Sequence, residues 1–449
     1  MKNHWRRIFA IAWPLIVANS FWTLQMTIDR VFLGSFSTVA LGAAMAVMAV
    51  FWTPMALLQQ SSSYVTTFVA QYSGSGQKSY VGTSLWQGIY FSILGGSAFL
   101  FLNPVSGDFF RFVGHDPEIQ NFEILYFNAI SYSALPTALV AAFSGFFTGL
   151  GRTRIVMAIN GVGLVLNALL DYLLIYGNLG FPKLGIAGAG YATAIAGYGS
   201  VVFAAFFVFN SQNQSEFQTR SSWRWNSSIM RRYIRYGLPS GLQWALEGLA
   251  FTVFLIAIGR FSNGSAALAA SSISVTLMML AVLPPMGVAQ SIMALTGQHI
   301  GEKRPDLAVR DTYIGVQMSA LYIFVVGLTF ILFPNFYLMW FENQHNADLW
   351  SEVSSIVKVL LVFVAIFTLF DSINFNISFA LKGAGDTRFV SLVSLFLPWP
   401  VFVIPTLFLK EQANAIYWAW GFVTVYGIFV SCFYFVRFKL GKWKKMSIF

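Results

Sequence analysis

The sequence has 449 residues, of which 57% are hydrophobic, 17% aromatic and only 10% charged, with a formal net charge of +10. A soluble globular domain carries about 25% charge, so composition excludes water as the main solvent and indicates an all-α polytopic membrane protein. A single cysteine, Cys432, excludes an intrachain disulfide framework and a cysteine-based metal cluster, and the four histidines make no ligand-spaced pair.

The chain opens with a basic start and an apolar run, "MKNHWRRIFAIAWPLIVANSFW", that continues to Ile28. That run is too long for the apolar region of a secretory signal, so it is expected to be a retained first span without cleavage. Windows of about 20 apolar residues predict a series of spans. Twelve follow in chain order, near 8–33, 39–71, 80–106, 121–150, 155–177, 185–210, 236–260, 266–299, 309–335, 351–381, 389–409 and 414–437. Several are longer than a minimal crossing, which implies tilt or helix ends that project into water.

The polar stretch "SQNQSEFQTRSSWRWNSSIMRR" divides the predicted spans into two sets of six. The expected organisation is an N-terminal six-helix lobe at 1–210, a cytoplasmic linker at 211–235 and a C-terminal six-helix lobe at 236–449. An even number of spans puts both termini on one side. Of the 27 Lys and Arg residues, 21 fall on that side, Lys78, Arg152, Arg232, Lys303, Lys382 and Arg437 among them. Arg30, Arg111, Lys183, Arg260, Lys358 and Lys410 lie on or toward the other. The excess of Lys and Arg places both termini and the linker in the cytoplasm, and a multi-pass protein of the inner membrane is expected. Topology thus explains the net charge, and no nucleic-acid partner is expected. Trp223 and Trp225, among the central arginines, read as interfacial anchors.

The halves are also related in sequence. "SGFFTGLGRTR" (Ser144 to Arg154) and "SFALKGAGDTR" (Ser378 to Arg388) match at Ser144/Ser378, Gly149/Gly383, Gly151/Gly385, Thr153/Thr387 and Arg154/Arg388, an offset of 234. "AQYSG" at the end of span two answers "GQHIG" at the end of span eight. Offsets of six spans specify parallel repeats related by an axis along the membrane normal. The Gly-x-Gly-x-Thr-Arg motif reads as a tight cytoplasmic turn between helices. "GSGQKS" at 74–79 resembles only a fragment of a phosphate-binding loop and reads as a turn, so ATP hydrolysis is not expected.

Most of the 17 acids fall in loops or near span ends, and four lie within the apolar spans: Asp29, Asp171, Glu247 and Asp371. An ionised carboxylate in hydrocarbon costs several kcal/mol, so an intramembrane acid is a functional candidate. Glu247 lies between Arg235 and Arg260, about 18 Å from either at 1.5 Å per residue, near mid-membrane, and Asp371 has a similar depth between Lys358 and Lys382. These two are expected to share a site. Asp29 and Asp171 sit toward the outer half and form a second set in the other lobe. By the repeat offsets Asp371 corresponds to Thr137 and Glu247 to Trp22, so the lobes are alike in backbone and unlike in acids. Parallel repeats around midplane acids describe alternating access in a secondary transporter.

Taken together, "WPLIVANSFWTLQMTIDRVFLG", "FFTGLGRTR", "LNALLDYLLIYG", "GIAGAGYATAIA", "GLPSGLQWALEGLAF" and "FALKGAGDTR" make the chain resemble, over essentially its whole length, the multidrug and toxic compound extrusion (MATE) transporters. The resemblance implies twelve helices in two lobes, a monomer, and export of cationic, often aromatic compounds in exchange for H⁺ or Na⁺, with no cofactor besides the coupling ion. It implies that Asp29, with Asp171 and Asn167, forms an N-lobe proton or cation site. Glu247 and Asp371 resemble the C-lobe cation site of NorM-like members, where Na⁺ would bind. Asn374, three residues beyond Asp371, is placed to share its helical face. Phe, Trp and Met side chains offer stacking and cation–π contacts to flat cations. The competing readings are a lipid-linked saccharide flippase of the same broad superfamily, which calls for a more cationic cavity, and a membrane-embedded enzyme, which calls for a His or Asp cluster near an interface.

Overall fold

A computed structural model describes residues 2–342, 347–410, 412 and 414–448, with the side chains of 2, 3, 347 and 348 left out. The terminal residues Met1 and Phe449, and the Lys2 side chain counted among the basic residues, lie outside this set. Among the described residues the helices long and apolar enough to span a membrane number 12 and are labelled α1 to α12 in chain order. In the first half they are α1 His4–Phe36, α2 Thr38–Gly74, α3 Lys78–Val113, α4 Pro117–Gly149, α5 Thr153–Tyr176 and α6 Ile186–Val208. In the second half they are α7 Ser227–Ile258, α8 Gly264–Gly301, α9 Pro305–Leu332, α10 Leu349–Ala384, α11 Thr387–Leu407 and α12 Ala415–Lys439. Among the described residues there is no strand. That follows from the solvent, since a helix satisfies its backbone hydrogen bonds within the segment and needs no edge partner in hydrocarbon.

The least expected boundary is the start of α7 at Ser227, inside the stretch expected to be linker. Asn226 caps it, its Oδ1 accepting from the Ile229 amide at 3.0 Å. Ile229, Met230 and Tyr233 are buried on one face while Arg231 and Arg235 stay outside, so the arginines diluted the apolar signal of an amphipathic first turn. The rest of the stretch is docked on the first half. Its short helix Ser211–Phe217 begins at Asn210, whose Oδ1 accepts from the Asn213 amide at 2.8 Å. Glu216 bonds both Lys78 and Arg152 at 3.1 Å, and Trp86 Nε1 donates to the Thr219 carbonyl at 2.7 Å. Partial burial pushes the Glu216 carboxyl up, but the hydrogen bonds and charges of Lys78 and Arg152 together hold it below the usual carboxylate range.

Two spans depart from regular helix. α3 tightens into a 3₁₀ turn at Phe99–Leu102 before Pro104, and α11 widens into a π turn at Trp399–Val403 among Pro398, Pro400 and Pro405. Prolines remove backbone donors, and local 3₁₀ or π geometry accommodates the loss.

The repeated glycine motif folds alike in both halves. Gly151 and Gly385 are left-handed, with φ of 74° and 103°, and form the turns that open α5 and α11. Two residues earlier, a Cβ on Gly149 would meet the Thr66 carbonyl oxygen at 2.7 Å, and one on Gly383 would overlap that of Met293. Each glycine therefore lets one helix rest on the backbone of another. Gly383→Ala is expected to destabilise the protein by about 1–3 kcal/mol through overpacking. Gly42→Ala, at a position with open space, should be tolerated. Thermal unfolding of both purified variants in detergent checks the contrast.

By contact, the described chain separates into two compact units. One comprises 1–13, 246–296 and 305–446, with a core around Phe254, Leu360, Leu361, Phe402 and Trp420. The other comprises 14–245, 297–304 and 447–449, with a core around Leu33, Val47, Phe51, Phe127 and Ile175. Helices α1, α7 and α8 thus contribute residues to both.

Candidate functional site

In the unit built mainly from the first half, α1 carries Asp29 and α5 carries Asn167 and Asp171, one turn apart on a single face. The Tyr176 hydroxyl donates to the Phe32 carbonyl at 2.8 Å and ties α5 to α1 beyond the acids. Asn167 and Asp171 have no solvent exposure. Asn167 Nδ2 donates to Thr193 Oγ1 on α6 at 3.3 Å, and Thr193 donates on to the Ala189 carbonyl. Asp29 lies within side-chain hydrogen-bonding reach of Asp171 and Asn167, and the ring of Tyr126 is close enough to feel both carboxyl charges.

The site is short of donors. Asp29 Oδ1, both Asp171 oxygens and Asn167 Oδ1 are buried and receive no hydrogen bond. With both acids ionised it sets oxygen against oxygen, and a bond between the two carboxyls exists only if a proton lies between them. Buried acceptors without donors cost about 1–3 kcal/mol each, so a proton or a small cation among these oxygens would be strongly stabilising.

In the unit built mainly from the second half, Glu247 on α7 and Asp371 on α10 lie within electrostatic reach of one another. Ser394 of α11 donates to Glu247 Oε1 at 2.6 Å, and the Tyr434 hydroxyl of α12 sits 3.4 Å from Ser394 Oγ. Asp371 is within hydrogen-bonding reach of Asn374. Ser431 of α12 donates to Asn374 Oδ1 at 2.7 Å, which orients the amide and leaves its donor end for carbonyl and carboxylate oxygens. Tyr426 and Tyr434 complete the surroundings of the acid pair. Glu247 and Asp371 are both only partly enclosed, unlike the fully buried Asp171.

The sequence candidates therefore fall into two groups, Asp29, Asn167 and Asp171 in one unit and Glu247, Asp371 and Asn374 in the other. Sequence reading did not select Ser394, Tyr434 or Tyr126, hydroxyl residues without a distinctive pattern. It also counted Lys382 among the surface charges, although this lysine is 1% exposed and within electrostatic reach of Glu247. Its place eleven residues after Asp371, three helical turns along one face, was the available signal. Three further buried acids have ordinary partners. Glu123 meets His115 at 2.7 Å, Asp311 meets His4 at 2.7 Å, and Asp386 holds Arg437 in a two-bond pair at 2.6 and 3.1 Å. Among the described residues no group of three or more His, Cys, Asp or Glu is placed to hold a metal ion. Any ion at either acid pair would be bound by oxygens.

Comparisons with known proteins agree with this architecture. The MatE family model matches twice, at residues 14–173 and 239–407, once in each half. The chain is 25% identical over 451 residues to a probable multidrug resistance protein NorM of Thermotoga maritima, covering 99% of this chain and 94% of that protein. It is 26% identical over 409 residues to the multidrug resistance protein PmpM of Pseudomonas aeruginosa, covering 88% and 82%. Among solved structures, one described as an outward-facing conformation of a multidrug resistance MATE family transporter of the MOP superfamily superposes with a TM-score of 0.89 at 19% identity, covering 99% and 97%. A MATE crystal structure in a straight conformation gives 0.87 at 20% identity, also covering 99% and 97%. The doubled family match, the relatives and the shared twelve-helix fold lead to one assignment: the chain belongs to the MATE family of multidrug efflux transporters and is a membrane transporter, not an enzyme.

Proposed function

We propose that the protein is a secondary active exporter that exchanges cationic amphiphilic or aromatic compounds for H⁺ or Na⁺ by alternating access, acting as a monomer in the inner membrane with both termini cytoplasmic. The observation that carries this reading is one pair of membrane-embedded acids in each compact unit: Asp29 with Asp171, and Glu247 with Asp371. The pairs differ in a way that suggests a division of labour. The donor-starved oxygens of Asp29, Asp171 and Asn167 fit a shared proton. The partly enclosed Glu247 and Asp371, with hydroxyl and amide oxygens from Ser394, Ser431 and Asn374 around them, fit Na⁺ or an organic cation. Coupling then needs little machinery, because two cations in one low-dielectric site repel and each displaces the other. Each elementary charge carried inward gains about 2.3 kcal/mol per 100 mV. A lipid-linked saccharide flippase fits less well, since these sites would repel a pyrophosphate.

Expression in an efflux-deficient bacterial host tests the proposal. Cells producing the protein should accumulate less ethidium and resist ethidium-like and fluoroquinolone-like compounds, and addition of an ionophore should abolish the difference. Unchanged accumulation across a broad panel of cations, with membrane insertion verified, would count against drug export.

A further inference from the structure

Lys382 is a charged side chain at the membrane-embedded site that neither the acid pair nor the positive-inside pattern accounts for. A lysine set among headgroups should be solvent-exposed, but this one is 1% exposed. Helix α10 fixes where it stands. Asp371, Phe375, Ser378 or Phe379, and Lys382 recur at the four-, three- and four-residue steps of one helical face, with Lys382 about 16 Å beyond Asp371 along the axis. Side chains on a helix lean toward its N-terminus, so the lysine stem runs back toward the acids and not out to the membrane surface. Its ammonium lies 4.7 Å from the centre of the Phe379 ring, one turn back along that face. Next to it, Gly383 rests on the Met293 carbonyl, and this holds that turn of α10 against α8. Glu247, held by Ser394, is within electrostatic reach of the same ammonium. Glu247 is therefore within electrostatic reach of both a like charge, Asp371, and an opposite one, Lys382.

We infer that Lys382 is a specificity-determining residue of the second-half site: an internal counter-cation that leaves the ionised Glu247–Asp371 pair with one net negative charge and so selects monocationic over dicationic cargo. The inference rests on the proposed binding of organic cations at these acids. Without Lys382 the site would carry two negative charges, and a dication would gain roughly twice what a monocation gains. At an effective dielectric constant near 20, one unit charge about 10 Å away shifts relative affinity by about tenfold.

The charge count makes the test specific. Equilibrium binding of tetraphenylphosphonium, a monocation, and methyl viologen, a dication, is measured on the purified full-length protein in nanodiscs, and the ratio of their affinities is followed across variants. Lys382→Met should raise the viologen preference about tenfold, Lys382→Arg should keep the wild-type ratio, and Glu247→Gln should lower it. The double variant Glu247→Gln with Lys382→Met restores one net negative charge and should return the ratio to near the wild-type value. If Lys382→Met alone does not fold, the double variant compared with Glu247→Gln still isolates the lysine charge. A ratio that stays within about twofold when Lys382 is removed, in either background, would overturn the inference. If the wild-type protein binds neither probe, the cation-binding reading itself fails, which is a different result from binding with an unchanged ratio.

Discussion

Glu247→Gln and Asp371→Asn should each abolish Na⁺-driven export, and the double variant should be little worse than either alone. The two acids lie within electrostatic reach of each other on α7 and α10, Glu247 held by Ser394 and Asp371 beside the Asn374 that Ser431 orients, so on the proposed reading they act as one site, and residues acting as a unit lose their function together. Removing one charged partner of a desolvated cation costs about 2–5 kcal/mol of binding, enough to remove measurable transport. Folding should survive, because Gln and Asn retain an oxygen to accept from Ser394 and from the Asn374 amide. Radiolabelled Na⁺ binding and drug flux in proteoliposomes read the effect. Additive losses, with each single variant keeping part of the Na⁺-driven flux, would mean two independent sites.

Asp171→Asn is expected to have the opposite balance, with transport lost and stability kept or raised. Both carboxylate oxygens of Asp171 lack donors in a site that already holds Asp29 and the unpartnered oxygen of Asn167. An isosteric amide brings its own N–H groups to those oxygens and removes one of two like charges, a gain of about 1–3 kcal/mol for each acceptor satisfied. It can no longer take up and release a proton, so the H⁺-driven component of export should vanish, as it should in Asp29→Asn. Thermal unfolding together with flux under a pH gradient separates the two effects. A variant that melts well below the wild type, or that still exports under a pH gradient, would show that Asp171 is structural.

Much of this was legible in the sequence because hydrocarbon is an intolerant solvent. Continuous apolar runs between polar loops located the span ends within about four residues, except the end of α3 and the start of α7, and the scarcity of acids well inside the apolar runs singled out Asp29, Asp171, Glu247 and Asp371 with no help from packing. The glycine motif was readable as a turn, although its first glycine, in Gly149 and Gly383, turned out to serve a helix crossing that only the packing shows. The start of α7 was hidden because Arg231, Arg232 and Arg235 lowered the apolar average of a stretch whose other face is buried. Lys382 was misplaced for a related reason: a lysine near a span end is normally a surface charge, and only the fold shows that its side chain turns inward. The hydroxyl partners Ser394 and Tyr434 had no signature, since every span holds at least one serine or tyrosine and only proximity to Glu247 distinguishes these two.

The most direct measurement of the central claim, that organic cations are exchanged for inorganic ones at membrane-embedded acid pairs, is ethidium flux into proteoliposomes with the membrane potential clamped. It is driven by a Na⁺ gradient alone and by a pH gradient alone, for wild type, Glu247→Gln and Asp29→Asn. The account predicts that each gradient moves ethidium in the wild type, that Glu247→Gln loses the Na⁺-driven flux and that Asp29→Asn loses the H⁺-driven flux. Full transport under a pH gradient with nothing added by Na⁺ would overturn the sodium assignment, and flux that neither gradient drives, or that neither substitution diminishes, would contradict exchange at these acids altogether.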